Sequence, residues 1–419
     1  MRILVTTSPL YGHFLPMLPL IRAARAAGRQ VVVATGPDLG AEVRRRRDLT
    51  YWQVGPSMAD VLAGIARRPS DPGADRMGAL RQDAIAYFGE PGIARAQELL
   101  PLAAAAPPDV VIHEQGDFAG WEVAAALDVI SIAHGYGPHL AFTRQLVEMI
   151  FVEGAARLGT PDRSSRIEEV MYVDPWPASL QSGEEVIYRR VTHVRPEPEP
   201  VSPNDRSPPS VLDLPHTTTV YATFGTVFAD AGVLRTVIHA VQDLDVNLVV
   251  TTGHGVDPNS LGSLPEHVVA VPFLPQFLLP PRWVDDVVAS SAVVSAAVGR
   301  SPASSAVVSH AGSGTVLGAG PAATPGLRPG RGGSVRQRRT DRSAWVGIVL
   351  PPDARTPQAV RAALLSVLQD PSFASAATRL QSEVERMPPA DALLSTLLAG
   401  NDGALPERID CRAVGCTSA

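Results

Sequence analysis

Two short apolar runs flank a helical pattern at the start of the chain, and that arrangement restricts the fold more than any other feature. Arg2-Ile3-Leu4-Val5-Thr6 closes at Ser8-Pro9, and its length and β-branching describe a buried strand. Leu15, Leu18, Leu20, Ile21 and Ala24 then share one helical face between Leu15 and Ala27, with Gly28 as the stop. Gln30 to Ala34 is a second strand. A strand, a crossover helix and a strand predict a parallel sheet with helices on its faces.

The pattern continues along the chain. Asp109 to His113 and Val129 to Ile132 read as strands, with a helix over Gly120 to Leu127 between them. Composition shifts after Tyr188. Residues 196–215 carry Pro196, Pro198, Pro200, Pro203, Pro208, Pro209 and Pro215, and the alternating Pro and Glu make an extended, semi-rigid linker. A second series follows. Its strands are Thr218 to Thr223, Asn247 to Thr251, Val268 to Val271, Ala306 to Ser309 and Gly347 to Leu350. Its helices are Val233 to Leu244 and Pro357 to Leu368, the latter with Pro in its first turn. The fold class is α/β, with two doubly wound Rossmann-like domains facing each other across a cleft at the carboxyl ends of their strands. The expected boundaries are 1–195 for the N-terminal domain, 196–216 for the linker and 217–375 for the C-terminal domain. Helices at 376–400 would pack back on the first domain, and 401–419 is a tail. The heptapeptide Ala-Ser-Ser-Ala-Val-Val-Ser occurs at 289–295 and again at 303–309, a local duplication rather than a solenoid.

Composition removes several functional classes. The 419 residues are 45% hydrophobic and 19% charged, which excludes a disordered or coiled-coil chain. A net charge of −6 argues against nucleic acid or an anionic membrane as the main partner. All 36 basic residues are Arg. Folding does not forbid Lys on a surface, whereas Lys codons are A-rich and most Arg codons GC-rich. The bias points to a high-GC genome of the actinobacterial kind. Arg44 to Arg47 read as a solvated helix face balanced by Glu42 and Asp48. The two cysteines, Cys411 and Cys416, exclude a disulfide framework and an all-Cys zinc site. With no 18-residue apolar run and no signal-peptide pattern, a cytoplasmic chain is expected.

Four segments carry candidate chemistry. Tyr11-Gly12-His13 reads as part of the loop after the first strand, where open α/β sheets bind ligands. A His there can act as a general base or can simply pack at a helix start. Val110-Val111-Ile112-His113-Glu114 ends in a carboxylate. Such a group can orient a His and stabilise its imidazolium, or it can be an ordinary helix cap. Ser309-His310-Ala311-Gly312-Ser313-Gly314-Thr315 follows an apolar strand and opens a helix, a backbone suited to a diphosphate. It also fits a loose dinucleotide pattern through Gly318, although no acid closes a following strand as a dinucleotide site requires. Thr223-Phe224-Gly225-Thr226 and Phe273-Leu274-Pro275-Gln276 are strand-end turns. Met77, Phe88, Phe142, Met149 and Phe151 read as core.

In this order the segments resemble the GT-B nucleotide-sugar-dependent glycosyltransferases, and most closely the bacterial branch that glycosylates macrolides, enediynes and other natural products. The resemblance rests on Gly12-His13-Phe14-Leu15-Pro16, Thr223-Phe224-Gly225-Thr226, Pro275-Gln276 and His310-Ala311-Gly312-Ser313-Gly314-Thr315, and spans roughly 1–318 and 346–400. It implies an N-domain that binds the acceptor, with Gly12 on that side, and a C-domain that binds the donor. His13 would deprotonate the acceptor hydroxyl with Glu114 as its partner. Gly225, Thr226, His310 and Gly312, Ser313, Gly314 and Thr315 would hold the diphosphate, and Leu274 and Gln276 would flank the base. The implied reaction is a single inverting displacement with no metal and no cofactor. The co-substrate is a dTDP- or UDP-linked sugar and the acceptor a small molecule. Neither nucleic acid nor membrane is a partner, and a homodimer is left open. A GT-B chain that binds nucleotide or a partner but turns over poorly is the alternative, and an NAD(P)-dependent dehydrogenase is a weak third.

The resemblance breaks at 319–345, which hold six Arg, five Gly and three Pro in 27 residues. No buried strand is made of these. The family continues here through a segment like Gly-Ala-Asp-Gln-Phe-Val-Asn-Ala-Glu-Arg-Ile, whose Asp-Gln pair contacts sugar hydroxyls. Written in high-GC codons and read from the third base, that segment spells Gly-Gly-Ser-Val-Arg-Gln-Arg-Arg-Thr-Asp, which is residues 332–341 in order. A frameshift accounts for the break. A genuine basic insertion is the competing account.

Overall fold

Ile3 and Val5 face one side of the first strand, β1 (Arg2–Thr6), and Leu4 faces the other, as the two-residue period of a strand requires. Both sides are covered. Ile3 and Val5 pack with Phe14, Leu18, Ile21 and Ile112, and Leu4 with Val32, Val111, Phe118 and Trp121. A strand buried on both faces has no place for polar alternation, hence the unbroken Ile-Leu-Val run.

The computed structural model describes residues 1–68, 82, 85–137, 143–181, 187–197, 214–224, 230–253, 255–272, 274, 293–296, 306–309, 347–350 and 355–399. The proline stretch 198–213, the segment 319–345, both cysteines and most of the expected donor-site residues lie outside them. The chain falls into two compact units. Met1–Trp176, Gly183–Arg195 and Pro388–Ala419 form the first, and Pro177–Ser182 with Pro196–Met387 the second.

In the first unit, β2 (Gln30–Thr35), β3 (Thr50–Gln53), β4 (Val110–Glu114), β5 (Ile130–His134), β6 (Met171–Asp174) and β7 (Arg190–His193) join β1. The order is β3-β2-β1-β4-β5-β6-β7, and every neighbouring pair is parallel. The sheet grows one way to β3 and the other way from β4, so its direction reverses between β1 and β4. Their carboxyl ends lie side by side, Thr6 opposite His113. Such a switch point leaves a crevice above the strand ends. The helix Phe118–Leu127 crosses close beneath it, and a methyl at Gly120 would overlap Thr6 and His113.

Two expectations need correction here. Tyr11-Gly12-His13 is not a loop. The chain turns helical at Tyr11–Phe14, tightens into a 3-10 turn at Leu15–Met17 and resumes as the helix Leu18–Ala26. Pro16 and Pro19 lack the N–H that an uninterrupted α-helix would need, and each sits where a new turn begins. Of the acids beside the arginine run, Glu42 pairs with Arg45 and Arg46, whereas Asp48 pairs with Arg25. The helix Ala390–Ala399 covers the Leu18 side of the sheet with Leu393, Leu394 and Leu397.

The second unit carries β8 (Thr219–Thr223), β9 (Asn247–Thr251), β10 (Val268–Val271), β11 (Val293–Ala296), β12 (Ala306–Ser309) and β13 (Gly347–Val349), in the order β10-β9-β8-β12-β11-β13. Helices Ala231–Val241 and Pro357–Gln369 cover β8 and β9 through Leu234, Val237, Leu364 and Val367. The sheet is not wholly parallel. β11 runs antiparallel to both β12 and β13. Residues 297–305 are too few for the crossover that parallel neighbours need. The paired strands come from the two copies of the duplicated heptapeptide, with Val294 opposite Val308.

Candidate active site

His13 is the third residue of the one-turn helix that follows β1, and Glu114 is the last residue of β4. Because β1 and β4 are neighbours, the two meet at the switch point. His13 Nδ1 lies 2.8 Å from Glu114 Oε2, with the carboxylate fully buried and the ring 12% exposed. The Ser8 N–H donates to Oε2 and the Gly116 N–H to Oε1, both at 3.2 Å. Burial alone would push this carboxyl up, but the His13 ring and the Ser8 N–H outweigh it and hold it at about 2. Glu114 is thus a carboxylate, which only accepts. Nδ1 carries the ring proton toward Glu114, which leaves Nε2 as the ring nitrogen with a lone pair.

The turn after β4 is fixed from behind. Arg95, on the helix Glu90–Ala105, donates through Nε and Nη2 to Asp117 Oδ1 at 3.1 and 2.8 Å, and both side chains are fully buried. Two rings stand at the other side of His13. Tyr136 stacks on it with centroids 3.9 Å apart, and Phe88 lies 5.8 Å away. Both are half-buried. Phe88 read as core in the sequence, and Tyr136 carried no signal there. The position of Tyr136, two residues past the carboxyl end of β5, is the cue that could have found it.

Two further histidines are structural. His113 donates from Nδ1 to the Glu114 carbonyl and accepts at Nε2 from Ser131 Oγ, each at 3.0 Å. His134 donates from Nδ1 to the Gly135 carbonyl at 2.7 Å. Burial lowers both, His134 to about 4. The unfolded chain therefore binds the His134 proton more readily than the folded one between about 6.5 and about 4. Stability is full above that window and falls with pH through it. Lowering the pH from about 7.5 to about 5 should cost roughly 2 kcal/mol through His134 alone. Urea unfolding at the two values checks this, and a His134→Gln chain should show a correspondingly smaller pH effect.

No family model matches the chain. The elloramycin glycosyltransferase ElmGT of Streptomyces olivaceus is 29% identical, over 93% of this chain and 95% of that protein. The 10-deoxymethynolide desosaminyltransferase of Streptomyces venezuelae is 26% identical, over 91% and 93%. Among solved structures, the glycosyltransferase SnogD of Streptomyces nogalater matches with a TM-score of 0.69 at 23% identity, over 95% of this chain and 99% of that one. The spinosyn rhamnosyltransferase SpnG, solved with thymidine diphosphate, matches with a TM-score of 0.68 at 23% identity, over 95% and 100%. The chain is a homologue of the GT-B natural-product glycosyltransferases. Its relatives are enzymes, and its fold is theirs.

In this glycosyltransferase homologue, Gly12 sits beside His13, half-buried in the same helical turn. Leu274 is buried in the second unit, and its carbonyl accepts from the Tyr221 hydroxyl at 3.3 Å. Gly225, Thr226, Gln276, His310, Gly312, Ser313, Gly314 and Thr315 lie outside the described residues. The strands that lead to the two expected diphosphate segments are described. β8 and β12 are parallel neighbours whose last residues, Thr223 and Ser309, stand opposite each other.

Proposed function

We propose that the chain moves a sugar from a nucleoside-diphosphate sugar to a hydroxyl of a small natural-product acceptor, inverting the anomeric carbon. The observation that carries this is the His13–Glu114 pair at the switch point of the first sheet. His13 Nε2 accepts the proton of the acceptor hydroxyl. The oxygen attacks the anomeric carbon from the face opposite the diphosphate, and the bond to the diphosphate breaks as the new one forms. Glu114 holds the tautomer and stabilises the imidazolium. A single displacement leaves the configuration inverted.

For the donor we assign the diphosphate to Gly225, Thr226, His310 and Gly312, Ser313, Gly314 and Thr315, and the base to Leu274 and Gln276. The side-by-side ends of β8 and β12 support this, since both segments start from that point. The thymidine-diphosphate complex of SpnG favours a dTDP sugar over a UDP sugar. The composition of 319–345 favours one second reading, a nucleotide-binding homologue with poor turnover. Incubation with α-linked dTDP- and UDP-sugars and a panel of polyketide aglycones tests the proposal. The glycoside should show the anomeric proton coupling of the opposite configuration. A product with retained configuration would rule out the single displacement.

A further inference from the structure

The carboxylate fixes only one atom of the His13 ring. A ring held at Nδ1 alone can still tilt about its bond to Cβ, and a tilted ring breaks the Glu114 contact and aims Nε2 elsewhere. Tyr136 supplies the missing constraint. Its ring lies 3.9 Å from the imidazole, centroid to centroid, with the planes 22° apart. Its own hydroxyl end is tied down by a hydrogen bond to Gln115. Gln115 Oε1 in turn accepts from the buried Tyr172 hydroxyl at 2.8 Å. Gln115 directly follows Glu114, so the carboxylate and the stacking ring are set from one turn. Phe88, at 5.8 Å from His13 and 6.5 Å from Tyr136, closes the remaining flank.

We infer that Tyr136 is a positioning residue for His13: its ring face holds the imidazole plane so that Nδ1–H stays on Glu114 and Nε2 points outward. The face also favours the cation formed on proton abstraction, as an aromatic ring does for a stacked positive charge. This rests on the reading of His13 as the base.

Two-bond proton–nitrogen NMR of the full chain near pH 8 tests it without an acceptor, with the His13 signals assigned by their loss in His13→Ala. In the unsubstituted chain the two His13 nitrogens should have widely separated shifts, the signature of one fixed tautomer. Tyr136→Leu and, as a second variant, Tyr136→Met should bring the two shifts together. Tyr136→Phe should keep them apart, because the ring face is what acts. Where transfer can be measured, the Leu variant should lose about tenfold in kcat at unchanged acceptor KM, and Phe should restore it. Separated shifts in both Leu and Met variants would overturn the inference, as would a Phe variant that behaves like Leu. Averaged shifts already in the unsubstituted chain would instead sink the Glu114-held base on which the inference stands.

Discussion

Replacing residues 319–345 by the alternative reading frame is expected to raise sugar transfer by several orders of magnitude. The segment as it stands lacks the Asp-Gln pair that the glycosyltransferase resemblance implies after the Gly-rich stretch. A site built to bind sugar hydroxyls loses ~1–3 kcal/mol for each buried group left unpaired, with charged groups at the upper end. Each ~1.4 kcal/mol is tenfold in rate. Two lost side chains together therefore carry roughly 10²–10⁴-fold on an additive estimate. The restored chain should also unfold at higher denaturant, because in the segment as it stands only Leu327, Val335 and Trp345 are large and apolar. Nucleotide affinity should change less, since His310 to Thr315 precede the break. Ordinary transfer by the unmodified chain would show that 319–345 are a genuine variation.

The sequence exposed the first unit well where burial is two-sided. β1, β2 and β4 are near-continuous apolar runs, and the strands fall within a residue of where those runs lie. β3, β6 and β7 were not legible. Each has four residues, and β3 and β7 have no buried residue to give a pattern. The helical turn that carries His13 was not legible, because the four residues Tyr11–Phe14 are too short to show a period ahead of the helix read from Leu15. In the second unit the β8, β9, β10 and β12 runs were plain, while β11 was concealed as a repeat of β12. The His13–Glu114 pair was legible because both residues end strands that a doubly wound sheet makes neighbours. Tyr136 and Phe88 were not, since what places them at His13 is tertiary packing, which leaves no period along the chain.

The role of His13 is the centre of the account. It is the partly exposed member of a pair whose other member is a fully buried carboxylate held at about 2. That asymmetry fits a base that meets substrate and a partner that does not. Positioned general bases contribute ~10²–10⁴-fold in rate. Glu114→Gln should cost less than His13→Ala, because it removes charge and orientation but not the accepting nitrogen. The deciding measurement is single-turnover sugar transfer by the frame-restored chain with and without His13→Ala, with dTDP affinity titrated in parallel. The account predicts a fall of ~10²–10⁴-fold in the rate at nearly unchanged dTDP affinity. An unchanged transfer rate in the Ala variant would contradict it.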